Sequence, residues 1–275
     1  MAERSKNTAH TFRPVRDGRA WQKELRDRYL AEGAPTSDLD LGKAVVRPVS
    51  RELARSIILK YEWLGTMAAT STHFGIFFGP YCVGVTCVGG TNVLAGAFMP
   101  GLFEVEHRDL LVLARGACVH WAPAGTNSKL VSWTVRLLRK AKAGKILVAF
   151  SDSDAGEIGT IYQACGWTFI GAGSSVSEWV SPAGKVHNQA MIGRWIKEKG
   201  RTWAAWCEAL RKEGWREQPS NPKGRYVQIL DERDKNLRAI VDRLRRPYPK
   251  RVESIAGDAA VHQTDEGGSS PTSTL

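Results

Sequence analysis

The chain has 275 residues, enough for one large domain or two small ones around a proper buried core. Its 39 Lys and Arg stand against 28 Asp and Glu, a net charge of +11 that favours a polyanionic partner such as nucleic acid. No apolar run approaches the ~18 residues of a membrane span, the opening MAERSKNTAH is too polar for a signal peptide, and five cysteines without a CxxC pair point to reduced thiols in a cytosolic compartment rather than a zinc site or disulfide framework.

Residues 1–41 are polar and charged and read as a loosely attached arm, with one short helix expected around Trp21 to Ala31. Ala44 to Val49 is a strand candidate, and Ser50 opens a helix with Leu53, Ile57 and Ile58 on one face. His73–Phe78 and Tyr81–Val88 are apolar strands joined by Gly79-Pro80, a hairpin. Gly89 to Asp109 is Gly-rich and weakly patterned, a long surface connection or a lid.

From Leu110 to Gly171 the pattern is strand, helix, strand, helix, strand. Leu110 to Val119 suits a buried strand, and Pro123-Ala124-Gly125-Thr126-Asn127 stops it and opens a helix. Leu130, Trp133, Leu137 and Leu138 recur at helical spacing and are expected to pack on a sheet. Ile146–Phe150 is short and uniformly apolar, as for a strand buried on both faces, so the crossover makes the two strands parallel neighbours. A second helix near Ala155 to Cys165 ends at Gly166 and leads into the aromatic strand Trp167–Ile170.

Val176–Val180 and Val186–Ile192 flank the turn Pro182-Ala183-Gly184-Lys185 as a second hairpin. Lys185 to Arg251 then carries 18 Lys and Arg against 8 Asp and Glu, so most of the positive charge is concentrated there. Trp203, Trp206 and Leu210 share one helical face, as do Leu237, Ile240, Val241 and Leu244. Residues 252–275 are rich in Gly, Ser and Thr and are expected to be disordered.

The segment GTIYQACGWTFIG is similar to the end of the GNAT acetyltransferase fold. More narrowly, LARGACVHWAPAGTNSKLVSWTVRLLRK, VAFSDSDAGEIGTIYQACGW and KGRYVQILDERDKNLRAIVDRLRRPYPKR together resemble the phage Mom proteins over roughly residues 42 to 251. The resemblance implies an α/β fold: a GNAT-like mixed central sheet flanked by helices over 42–200, with a basic helical extension over 201–251. It implies an enzyme that adds a carbamoylmethyl-type group to N6 of adenine in double-stranded DNA, in the host cytoplasm, so that restriction enzymes fail. It further implies acetyl-CoA or a related acyl donor, and it associates the family with iron, although no HxH, HExxH or two-His-one-carboxylate spacing stands out here.

On that frame the donor's phosphates fall at Gly125-Thr126-Asn127-Ser128, where backbone N–H groups open a helix, although the usual Gln/Arg-x-x-Gly-x-Gly/Ala signature is absent. Thr126, Asn127 or Ser128 could equally serve as a plain N-cap. Tyr162 matches the Tyr that protonates a departing thiolate in many GNAT enzymes; flanked by Ile161 and Ala164, it could also simply pack. Asp152 follows a buried strand at the end where α/β proteins place ligands, and is the catalytic candidate; Asp154 better suits a helix cap. Glu62 could take a proton from an amine, and Tyr61 or Trp63 could stack on a flipped base, although a buried Trp is more often core.

Arg115 interrupts an apolar strand and reads as a site-facing, substrate- or DNA-binding residue, paired with Asp152 or Glu104. His73 and His120 are lone and read as structural. Arg225 and Tyr226, and Arg245, Arg246 and Lys250, mix cations with aromatics in the manner of phosphate and sugar contacts; a solvated basic face is the bland reading. Two rival functions stand beside the DNA-modifying enzyme. One is a GNAT N-acetyltransferase of a protein or small amine, and the other a DNA-binding protein that has lost catalysis.

Overall fold

The computed structural model describes residues 39–62, 66–90, 99–153, 156–174, 177–184, 186–188 and 202–250. Residues 1–38 of the expected arm 1–41, with its helix at Trp21 to Ala31, the residues Trp63 and Asp154, and the tail 252–275 lie outside the described residues, whereas Leu39 and Leu41 of that arm pack against the core. The chain enters through β1 (Val45–Pro48), α1 (Arg51–Tyr61), β2 (Thr72–Phe78) and β3 (Tyr81–Gly89). The Ser50 side chain caps α1 by accepting from Leu53 N at 3.2 Å. The weakly patterned connection holds α2 (Met99–Phe103), whose Met99 and Phe103 are buried. Then come β4 (Leu110–Cys118), α3 (Thr126–Lys140), β5 (Ile146–Ser151), α4 (Thr160–Ala164) and β6 (Thr168–Ala172). The hairpin β7 (Ser177–Val180) and β8 (Val186–Asn188) precedes α5 (Trp203–Lys212), β9 (Arg216–Pro219), β10 (Gly224–Ile229) and α6 (Lys235–Leu244).

Seven strands make one mixed sheet in the order β1-β2-β3-β4-β5-β10-β6. Only β4 and β5 run parallel, joined by the α3 crossover; every other pairing is antiparallel. Alternation along β5 shows why it sits in the middle. Leu147 and Ala149 enter one core with residues of α1 and α3, while Ile146 and Val148 enter another with α2 and α6.

Two expectations are corrected by this sheet. Gly224–Ile229 is no part of a helical extension: β10 is a central strand, pairing Val227 with Val148 on one side and Thr168 on the other. Its alternation of Tyr226 into one core and Val227 into the other is a strand pattern that the surrounding basic charge obscures. A fold boundary at residue 200 therefore cuts through the sheet. The second correction concerns α4, which starts at Thr160 rather than Ala155, because Gly156 and Gly159 both take positive φ (71° and 72°) and hold the chain out of the helix. Between β6 and β10, α5 packs on a small sheet β8-β7-β9 through Trp179, Trp206, Cys207 and Leu210.

Candidate functional site

The parallel pairing of β4 with β5 runs only from Leu110↔Ile146 to Leu113↔Ala149. Beyond that point Arg115–Cys118 stay paired to β3, while Phe150 and Ser151 stay paired to Arg225 and Gly224 of β10 on the other edge of β5. The two strands thus part company at their C-terminal ends, and the sheet opens there. A bulge helps: β4 advances from Leu113 to Arg115 while β3 steps only from Val88 to Cys87, which kinks β4 at the start of the opening.

At the head of the opening lies the N-terminus of α3. Gly125 occupies the cap position in the left-handed region (φ 84°) and no side chain caps the first turn. The alternative role of Thr126, Asn127 or Ser128 as a plain N-cap is therefore not taken up. Thr126 is buried and its hydroxyl donates to Pro123 O at 2.7 Å, which removes that side chain from any ligand. What remains at Gly125, Asn127 and Ser128 is backbone at an uncapped helix start, where the N–H groups and the helix dipole favour an anion such as a phosphate.

Asp152 emerges from β5 beside the opening, and its carboxylate pairs with Lys223 at 2.7 Å, not with Arg115. Asp152 N–H donates to the Glu157 carboxylate at 3.2 Å, which pins the turn after β5. Arg115 pairs with neither Asp152 nor Glu104. Its guanidinium donates to Thr66 O (2.9 Å), Thr66 Oγ1 (3.2 Å) and Ala114 O (2.7 Å), so it ties the stretch after Glu62 to the bulge in β4. Glu62 is buried at the end of α1, where its N–H donates to Ile58 O at 3.1 Å. Burial pushes the Cys87 thiol up to about 12, against the pull of the Arg115 and Arg51 charges and with a push from Glu62.

Tyr162 on α4 belongs to an aromatic cluster. Its ring centroid lies 5.2 Å from Trp167 and 5.2 Å from Tyr226, with Phe169 and Tyr248 flanking Tyr226 at 5.1 and 6.4 Å. Burial, then the nearby Glu157 charge, raises its phenol well above the usual range, so it keeps its proton at neutral pH. Among the described residues no group hydrogen-bonds the Tyr162 hydroxyl, whereas Tyr226 donates to Ile158 O at 2.5 Å and accepts from Gln163 at 3.0 Å.

Several expected nucleic-acid contacts are otherwise engaged. Tyr226 is fully buried. Arg225 points its guanidinium at the end of β6, donating to Ala172 O at 2.8 Å. Tyr61 is buried against the His120 ring at 5.8 Å, with the Lys60 ammonium 5.4 Å from its centroid, so it offers no open stacking face. Arg245 pairs with Asp242 at 3.0 Å. Arg246 N donates to Phe169 O (2.8 Å) and the Tyr248 hydroxyl to Trp167 O (2.7 Å), so 246–248 straps the outer edge of β6 and covers its unpaired groups. Lys250 is exposed. The small neighbours of these groups were the missed signal: Gly159 leaves room for the Tyr226 ring, which a Cβ there would meet at 2.3 Å.

Among the described residues no three His, Cys, Asp or Glu side chains are placed to hold a metal ion, so the iron implied by resemblance finds no fitting donor set there. No helix among them is long and apolar enough to cross a membrane.

A mixed sheet that opens between two parallel strands, with a helix N-terminus at the head of the opening, is a GNAT-like core. Solved structures with overlapping folds include FeeM, an N-acyl amino acid synthase from uncultured soil microbes, at 14% identity over 69% of this chain and 93% of that one, with a TM-score of 0.40. A Bacillus subtilis acetyltransferase in complex with CoA is 8% identical over 68% and 97%, at 0.37. A putative acetyltransferase, yncA, from Salmonella typhimurium with acetyl-CoA is 12% identical over 69% and 95%, at 0.38. These overlaps are loose. No curated protein matches the sequence. The model of the Mom protein family matches residues 43–250, from the turn before β1 to the strap over β6, and the chain belongs to that family.

Proposed function

We propose that this chain is a DNA-modifying transferase that places a carbamoylmethyl-type group on N6 of adenine in double-stranded DNA and thereby shields the DNA from restriction. The observation that carries the reading is the opening between β4 and β5, set at the head of an uncapped helix within a chain of the Mom family. In this reading a flipped adenine enters at that opening beside the Asp152–Lys223 pair, and Asp152, with Glu62 as the second candidate, is the carboxylate that takes a proton from the amine. Tyr162, held protonated and with no hydrogen-bond partner among the described residues, is the group suited to return a proton to whatever leaves the donor.

Acetyl-CoA or a related acyl donor fits the backbone of Gly125, Asn127 and Ser128 better than it fits their side chains, and would bring a thioester as the activated group. An N–CH2 bond to adenine requires a different activated carbon from an acetyl carbonyl, so the donor is to be found by experiment.

The test compares purified full-length chain incubated with acetyl-CoA in the presence and absence of duplex DNA, following free thiol. Release that depends on DNA supports DNA as the acceptor, and the mass of the deoxyadenosine product then decides between a carbamoylmethyl-type group and a plain acetyl group. Rapid release onto free amines or protein lysines without DNA would instead assign the chain to the protein or small-amine N-acetyltransferases.

A further inference from the structure

Four of the contacts expected to hold DNA, Tyr61, Arg115, Arg225 and Tyr226, are engaged inside the fold, while Arg245, Arg246 and Lys250 stay exposed near the outer edge of β6, which leaves open where the duplex rests beside the sheet opening. We propose that the outer stripe of α3 is the docking surface for the phosphodiester backbone of duplex DNA; this rests on the DNA reading above.

The stripe follows from helical geometry. Lys129, Trp133, Arg136 and Lys140 recur at intervals of four, three and four residues, so they lie on one side of α3, while Leu130, Val131, Thr134, Val135 and Leu138 are buried on the other. Sequence spacing predicts Trp133 as a core residue. It is instead 38% exposed, because it sits a full step round the helix from the buried face, and the Arg136 guanidinium lies 5.1 Å from its ring centroid. An exposed Trp carrying a cation has a flat apolar body for a deoxyribose and a charge for the adjoining phosphate.

Charge identifies the occupant. Residues 126–145 contain six Lys or Arg and no Asp or Glu. Three of the six are spoken for: the Lys129 ammonium reaches Leu41 O, Arg139 pairs with Glu232 at 2.9 Å, and Lys145 pairs with Asp234 at 3.1 Å. Arg136, Lys140 and Lys142 have no carboxylate within ion-pair distance among the described residues. A solvated helix face ordinarily interleaves both signs; this one presents cations alone, which repel one another until an anion lies along them. From Lys129 to Lys140 the stripe is about 16 Å long, enough to follow two or more successive phosphates of one strand. The Leu41 and Gly42 carbonyls hold Lys129 at the upper end of the stripe, so its open part runs from Trp133 to Lys140, on the helix whose start lies at the sheet opening.

Fluorescence anisotropy of the full chain with a labelled mixed-sequence duplex, titrated across potassium chloride concentrations, tests this. For Arg136→Ala/Lys140→Ala the slope of log affinity against log salt should shrink by about two, and affinity at low salt should fall at least tenfold. Trp133→Ala should weaken binding several-fold and leave the slope unchanged. Arg108→Ala/Lys212→Ala, which removes two exposed cations already paired with Glu106 and Glu208, is the charge-matched control and should behave as wild type. Wild-type binding with an unaltered slope and affinity in Arg136→Ala/Lys140→Ala overturns the docking surface and leaves the DNA reading standing. Failure of the wild-type chain to bind duplex DNA at low salt overturns the DNA reading itself, and the docking surface with it.

Discussion

His73 shows how a residue that looks like a ligand can be structural and still matter. Its ring is buried on β2, with Nε2 3.0 Å from the Thr70 hydroxyl. Burial, and next the Arg51 charge, depress its pKa below the ordinary value. In acid the unfolded chain therefore binds a proton near pH ~6.5 that the fold resists. Its contribution is fully present above the unfolded value and is lost as pH falls through the lower folded value. Urea melts should show a chain less stable at about pH 5.5 than at about pH 7.5, and His73→Gln should narrow that difference. An unchanged difference would assign the pH dependence to other groups. At Tyr162 the expectation is the opposite kind: loss of one oxygen should leave the melt within about 1 kcal/mol of wild type, since no described group bonds that hydroxyl, while transfer falls by two or more orders of magnitude. A Tyr162→Phe chain that melts normally and transfers normally would return Tyr162 to the aromatic core.

At the scale of elements, the sequence was most legible where one periodicity filled a whole segment. β2, β3, β4 and β5 and the Ser50 cap of α1 lie where apolar runs and capping chemistry put them. Legibility failed where a long-range contact overruled local pattern. Arg225 and Tyr226 read as a basic-aromatic motif, yet Tyr226 is the filling between β10 and α4, and only the glycine facing it across about seventy residues explains why it fits. Arg115 was recognisable as a charge in need of a partner, but its partner is a backbone carbonyl and a hydroxyl at Thr66, which no charge pattern marks. The α4 entry offers a check by paired substitution. Gly159→Ala combines a positive φ with a Cβ 2.3 Å from the Tyr226 ring, whereas Gly166→Ala has a similar φ of 70° and open space. Gly166→Ala should cost about 1–2 kcal/mol from backbone strain alone, and Gly159→Ala distinctly more by thermal melting, because the ring must move as well. Equal losses would mean that Tyr226 yields without cost.

For the whole molecule, the late strand β10 decides the architecture. It closes the sheet between β5 and β6 and buries Val227 beside Val148 and Ile170. A fragment ending at residue 200 lacks that strand and leaves the edge of β5 unpaired over Ile146–Ser151. Such a fragment should be insoluble or lack a cooperative melt, whereas a chain spanning 39–250 should melt in one transition; a soluble, cooperatively folded 42–200 fragment would restore the boundary suggested by composition. β10 also supports one wall of the opening, because Phe150 and Ser151, no longer paired to β4, stay paired to Arg225 and Gly224. The candidate site is thus a property of the closed sheet and not of the segment 110–171 that carries most of its residues.

The most direct measurement is mass spectrometry of nucleosides from bacterial DNA after expression of the full chain, beside Asp152→Ala and Tyr162→Phe chains present at equal folded levels. A heavier deoxyadenosine made by the wild type and missing from both substituted chains is the predicted result, and its added mass identifies the transferred group. Unmodified deoxyadenosine in cells rich in folded wild-type protein and supplied with a lysate of phage-infected cells as a source of donor would contradict the account.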